Sequence, residues 1–335
     1  MGRIPLSYLG NRFLTLFLTV FIAATLIWII PRLSPINPVD VMLGRMAAGG
    51  GSVENSGAIL EQLTSRFGLD DPWYVQYWLY ITNTLTFDFG ISTASFPTPV
   101  AGMIAVAMPW TIGLMLISLV ITFIIGNLLG AWMVWEHTPR VWKVAIPAAM
   151  VFTSIPPILS GLLLMYVFST QLGWFPLNGA YGLNVEPEWS FEFLSSVLYH
   201  GFLPAMSIVV GTFWFWVLGM RGFMITFHGE DYTVLAKAKG LRKRYILYRY
   251  MIRNAILPQI TAFALKIGML VAGQVLVERI FDYNGMGKLL YDAILDQDFP
   301  VIQGVSFVII LMTAVAVFLV DLIYPLIDPR IRHGA

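Results

Sequence analysis

Phe13 to Ile30 runs without a charged residue, and as a helix it would extend about 27 Å, close to the thickness of a bilayer's hydrocarbon core. Five more apolar runs follow, at about Trp110–Trp135, Val144–Phe168, Phe202–Met220, Ile256–Val277 and Val301–Ile327. Inside lipid the backbone must satisfy its own hydrogen bonds, and runs of this length do so as helices. The first run is longer than a signal-peptide core and ends at Pro31-Arg32 with no small-residue cleavage site, so a retained span is expected. With 58% hydrophobic and 12% charged residues and a mean hydropathy of +0.75, the chain lies outside the range of soluble domains. The expected fold is all-α and polytopic, with six transmembrane helices. Val100–Met108 is expected only as an interfacial lead-in to the second span.

Between the first two runs, Leu33 to about Pro99 turns polar and carries glycines at Gly49, Gly50 and Gly51, which predicts a structured external loop with short helices. Residues 1–99 are thus expected to form one span plus this loop, 100–327 a permeation domain containing the segment 229–258, and 328–335 a cytoplasmic tail. The basic residues set the orientation. Arg3, Arg12, Arg140, Lys143, the cluster from Arg221 to Arg253, Arg330 and Arg332 fall on one side of the six spans. Most acids fall on the other, including Glu186, Glu188, Glu192, Asp282, Asp292, Asp296 and Asp298, together with Arg32, Arg45, Arg66, Arg279 and Lys288. By the positive-inside rule both termini are expected in the cytoplasm. Within the spans, Pro147, Pro156 and Pro157 predict a kink in the third, either lining a pathway or simply packed. Gly126 and Gly130 predict a helix-packing face in the second.

The basic island Gly229–Pro258 is then cytoplasmic. Glu230 and Asp231 open a short helix, Lys237 and Lys239 close it, and Gly240 stands where a C-terminal cap belongs. Tyr232, Leu235, Ala236 and Lys239 share a face by helical spacing, with Ala238 beside them, and Arg242, Arg249 and Arg253 share a face in the helix that follows. A segment lying on anionic lipid would also be basic, but the acid-first, glycine-capped pattern favours a docking helix.

Other chemistry is sparse. There is no cysteine, and His137, His200, His228 and His333 lack metal-ligand spacing, so neither a metal nor a cofactor is expected. Gly285-Met286-Gly287-Lys288 is the nearest approach to a phosphate-cradling loop, but Leu289 follows and the earlier glycine is missing. No nucleotide site is therefore expected in this chain, and nothing implies a nucleic-acid partner. Lys266 and Asp321 lie about 10 to 12 Å inside the cytoplasmic ends of the last two spans, so an ion pair between them is expected. Trp174, Phe175, Tyr181 and Trp189, with Trp214 and Trp216, either line a passage or form an interfacial belt.

The order AKAKGL (Ala236–Leu241), a basic helix, then RNAILP (Arg253–Pro258) resembles the EAA loop of ABC importer permeases of the dipeptide/oligopeptide/nickel type. GLDDPWYVQY (Gly68–Tyr77) with Asp88–Gly90, LGWFPLNG (Leu172–Gly179), Gln274–Gly304 and DLIYPLIDPRIR (Asp321–Arg332) resemble other segments of the same family, collinearly along nearly the whole chain. The resemblance implies the type I permease fold and a B-type permease subunit. It also implies a second permease subunit, cytoplasmic ATP-binding subunits and an external solute-binding protein as partners in the inner (plasma) membrane. On this resemblance Glu230–Gly240 would contact the ATPase. Val234 and Leu235 stand where the family motif has Glu-Ala, Thr226 and Tyr250 replace a glutamate and a histidine frequent in it, and FWFW (Phe213–Trp216) is atypical. A self-sufficient secondary transporter or channel is the alternative, although no internal repeat is found and only Asp321 offers an intramembrane carboxylate.

Overall fold

A computed structural model of the chain describes residues 6–33, 44, 71–135, 139, 142–268 and 274–327. Arg3, Arg45, the Gly49–Gly51 patch, Arg66, His137, Arg140 and the 328–335 tail lie outside them. Every regular element among the described residues is helical, and extended pairing there is limited to one isolated bridge between Ile91 and Pro99. In chain order the helices are α1 (Leu6–Leu33), α2 (Trp73–Leu85), α3 (Val100–Trp132), α4 (Trp142–Thr153) and α5 (Pro157–Leu164), which continues into a π-helical stretch, π1 (Met165–Gln171). Then come α6 (Phe191–His228), α7 (Asp231–Ala238), α8 (Lys243–Ile246) with a second π-helical stretch, π2 (Leu247–Ile252), and α9 (Arg253–Gly268). Helices α10 (Val275–Ile280), α11 (Met286–Leu295) and α12 (Phe299–Ile327) complete the chain.

Among the described residues, four helices are long and apolar enough to cross a bilayer: α1, α3, α6 and α12. Two of the six expected spans have another form. The third is divided, because Pro156 and Pro157 lack the N–H groups that would carry α4 into α5, and Pro157 instead occupies the first turn of the new helix. The fifth is described only as α9, since residues 269–273 lie outside the described set.

Val100–Met108 corrects an expectation. It is not an interfacial lead-in but the first part of α3, because Val100, Ile104 and Ala107 recur at helical spacing and are buried with Met286, Val301 and Val305. Helix α6 likewise exceeds its apolar run. Its N-terminus is set by Ser190, whose hydroxyl accepts from the Phe193 N–H at 3.1 Å, and its 38 residues extend about 57 Å.

Helices α3 and α6 form the most extensive helix pair, and small residues make it possible. A Cβ on Gly126 would stand 2.5 Å from Trp216 Cβ, and one on Gly130 2.5 Å from the Val217 carbonyl oxygen. The expected small-xxx-small packing face is therefore realised. Trp216 is fully buried there, edge-on to Phe123 at 5.1 Å, whereas Trp214 stacks on Phe152 at 6.0 Å.

Helix α1 packs along α12, and this pairing corrects the expected Lys266–Asp321 ion pair. Asp321 is turned towards α1 and bridges Arg12 at 2.9 Å, while Tyr8 Oη donates to its backbone carbonyl. Lys266 instead lies 4.6 Å from the ring centroid of Phe215, on α6. Equal depth in the membrane brought the two charges level, but the facing helix that reaches the carboxylate is α1.

Candidate functional site

The island folds as a capped helix resting on a core of its own. Helix α7 starts beyond Glu230, whose carbonyl accepts from the N–H groups of Thr233 and Val234. It ends at Gly240, with φ +72°, where the Gly240 N–H donates to the Lys237 carbonyl and the Leu241 N–H to the Ala236 carbonyl. This crossed pair is the Schellman arrangement, which glycine supplies at little steric cost.

Thr233 and Ala236 are the buried residues of α7. The Thr233 hydroxyl donates to the Phe227 carbonyl at 2.8 Å, tying α7 to the end of α6. Ala236 joins Ala131 of α3, Met220 and Met224 of α6, and Met251 of π2 in a single cluster. Methionine fills such irregular joints because its side chain is unbranched and polarisable. The opposite side of α7 is apolar too, with Val234 52% and Leu235 56% exposed beside Asp231, Lys237, Ala238 and Lys239.

The stripe expected from spacing is thus split. Leu235 and Lys239 face out, Ala236 faces in, and Tyr232 is half-buried with its ring 6.5 Å from that of Tyr250. Lys237 Nζ lies 2.8 Å from His228 Nε2, at the mouth of a cleft of about 290 Å³ that Trp135, Leu241, Lys243 and Met251 also line. Arg242, Arg249 and Arg253 are all exposed.

At the other end of the spans, two carboxylates do work that spacing did not reveal. Glu278 of α10 is fully buried, where its Oε1 accepts from the Thr111 hydroxyl at 2.9 Å. Its Oε2 accepts from the Gly287 N–H at 2.7 Å and the Lys288 N–H at 3.2 Å. Thr111 in turn accepts from the Met286 N–H, so the Gly285–Lys288 turn is strapped to α3. For Asp298 the charge pattern indicated only a side of the spans, and its burial is a separate finding. It is buried at the start of α12, where it accepts from the Ser92 hydroxyl, the Thr93 and Ala94 N–H groups and the Val301 N–H. Its sequence signal is the Asp-Phe-Pro that opens the helix, an N-cap followed by an early proline.

The aromatic residues divide similarly. Tyr181 stacks on Trp110 at 5.5 Å and Phe175 on Phe202 at 4.8 Å, whereas Trp174 and Trp189 are exposed.

Residues 126–333 match the family model described as binding-protein-dependent transport system inner membrane component. The oligopeptide transport system permease protein AppB of Bacillus subtilis is 31% identical over 306 residues, covering 91% of this chain and 93% of its own. The glutathione transport system permease protein GsiC of Shigella boydii is 32% identical over 331 residues, covering 98% of this chain and 99% of its own. Its counterpart in Escherichia coli K12 is 31% identical over the same length and coverage.

Proposed function

The chain belongs to the binding-protein-dependent transport system inner membrane components, and from that membership we propose how this permease subunit of an ABC importer is built to work. It is a multi-pass membrane protein that does not hydrolyse ATP itself, and the self-sufficient transporter alternative is set aside. Helix α7 docks on a cytoplasmic ATPase subunit, and a second permease subunit completes the pathway. The chain crosses the membrane six times with both termini in the cytoplasm, the third pass being made by α4, α5 and π1 and the fifth by α9 and the residues after it. A peptide or peptide-like solute suits the oligopeptide and glutathione permeases that the chain is similar to.

The observation that carries the docking is the two-sidedness of α7. Its inner face is locked to the ends of α3 and α6, and its outer face offers Val234 and Leu235 between a carboxylate and two ammonium groups. A partner that seats on that face and moves would carry α3 and α6 with it, since these share one core. Replacing both Val234 and Leu235 with lysine is expected to lower ATP-driven uptake in proteoliposomes at least tenfold, while the subunit still inserts and co-purifies with its permease partner. Unchanged uptake would overturn the assignment.

A further inference from the structure

The third pass is broken at a depth where lipid tolerates no break. In the proposed topology Phe202–Met220 of α6 crosses the hydrocarbon, and Gly211 stands nine residues, about 14 Å, from either end of that run. Pro157, the first residue of α5, is packed on Gly211, where a Cβ would lie 2.9 Å from its ring. The residues between α4 and α5 are therefore near the middle of the membrane. Thr153, Ser154 and Pro156 are exposed there, and among the described residues no N–H donates to the Ser154 or Ile155 carbonyl. Irregular backbone at this depth is stable only against protein or water, since hydrocarbon offers it no hydrogen bond.

A second anomaly lies beside the first. Around α6, at roughly 100° per residue, Gly211 and Trp214 point to α5 and α4, Gly219 points to Gln259 of α9, and Phe215 points between them and is 49% exposed. Lys266 follows Gln259 by two turns, on the same face of α9, and brings its Nζ 4.6 Å from the Phe215 ring centroid. Among the described residues Lys266 forms no salt bridge, although a lysine within a span needs a counter-charge. Helices α4 and α9 both pack on α6 and hardly touch each other. Phe215 thus floors an open recess, with the broken backbone on one side and the ammonium on the other. Nearer the external side Ile280 and Phe281 close directly on Gly161 of α5, whose Cβ would stand 2.8 Å from Ile280.

The two sides together suit one kind of occupant. A lipid tail satisfies neither, and a lipid phosphate stays with the headgroups, well short of the midplane. A carboxylate from a second permease would answer Lys266 but leave the carbonyls without donors. We propose that this recess is the part of the transport pathway that the subunit presents to its solute, and that it holds a zwitterion. Lys266 takes a carboxylate, while the Ser154 and Ile155 carbonyls, with the Ser154 hydroxyl, take an ammonium or amide N–H. Broken helices near the midplane serve ligands in this way because they free backbone groups for them. The assignment rests on the importer reading with a peptide-like solute and names the groups that grip it.

The test uses the intact transporter in proteoliposomes with its solute-binding protein and a library of di- to pentapeptides plus glutathione, import being read by mass spectrometry. Lys266→Gln is expected to lower import at least tenfold, and Lys266→Arg to restore most of it. Ser154→Cys and Lys266→Cys each give this cysteine-free chain a single thiol, and thiols react as thiolates, which need water. Both are expected to react with the aqueous reagent 2-sulfonatoethyl methanethiosulfonate, and the reacted Ser154→Cys assembly to lose import. Ser154→Cys decides the matter if the Lys266 variants fail to assemble. A thiol that stays unreacted at either position, as it would against lipid or a second permease, overturns the recess, and so does import that Lys266→Gln leaves unchanged. A wild-type assembly that imports no member of the library would instead refute the peptide-like solute on which the proposal rests.

Discussion

Glu278 holds its place by accepting three hydrogen bonds and makes no salt bridge among the described residues, so its neutral analogues make sharp tests. Glu278→Gln keeps the shape but turns an amide N–H₂ towards either the Thr111 hydroxyl or the Gly287 and Lys288 N–H groups. Thr111 can accept from that amide with its second lone pair, beside the Met286 N–H at 2.7 Å, but its own proton then loses the carboxylate. In either orientation at least one donor loses its acceptor, at a cost of about 1 to 3 kcal/mol. Glu278→Gln is expected to lower the Tm of the detergent-purified subunit, and Gly285→Ala to lower it further, since the new Cβ would lie on the carboxylate itself. An unchanged Tm for both would show that the strap carries no stability. Residue spacing could not single out Glu278, because Thr111 is 167 residues away. Lys266 and Asp321 show the opposite failing, where depth along two spans was readable but not which neighbour each charge faces.

At the scale of the element, α7 was legible in its ends and not in its faces. Glu230, Asp231 and Gly240 mark the start and stop through local chemistry that acts within a few residues. Which side packs is decided by a groove between α3, α6 and π2, and the short helix offers apolar residues on both sides. Thr233 and Ala236 win because they are small and allow close approach, leaving the bulkier Val234 and Leu235 outside. Gly240→Val is expected to strain the left-handed turn by about 1 to 2 kcal/mol and to reduce coupled uptake while the subunit remains in the membrane. ATP hydrolysis measured beside uptake would show the two separating, and intact coupling would mean that α7 tolerates a displaced end. Helices α3 and α6 make a harsher case. Gly130→Leu places a side chain where Val217 and Met220 already stand, and a loss of about 3 kcal/mol or more is expected to appear as degradation of the subunit or aggregation on solubilisation. Normal yield would require the pair to have moved apart.

At the scale of the whole molecule, long apolar helices were readable because bilayer thickness sets their length, whereas the division of the third apolar run into α4 and α5 depends on how packing resolves Pro156 and Pro157. The proposed orientation has a direct test at the two ends of α6. Glu188, before the start of α6, and Lys239, beyond its end, are both exposed, and about 57 Å of helix separates the two ends. That length exceeds the roughly 40 to 45 Å of a bilayer with its headgroups, so the two positions stand in water on opposite sides. The proposed orientation, drawn from the excess of basic residues around Lys239, puts that side in the cytoplasm. A cysteine-free chain makes single replacements unambiguous reporters. In intact cells or right-side-out vesicles, a membrane-impermeant maleimide is expected to label Glu188→Cys at once and Lys239→Cys only after permeabilisation. In inside-out vesicles the order should reverse. Immediate labelling of Lys239→Cys from outside would invert the topology, and with it the ATPase surface on α7 would lose its partner.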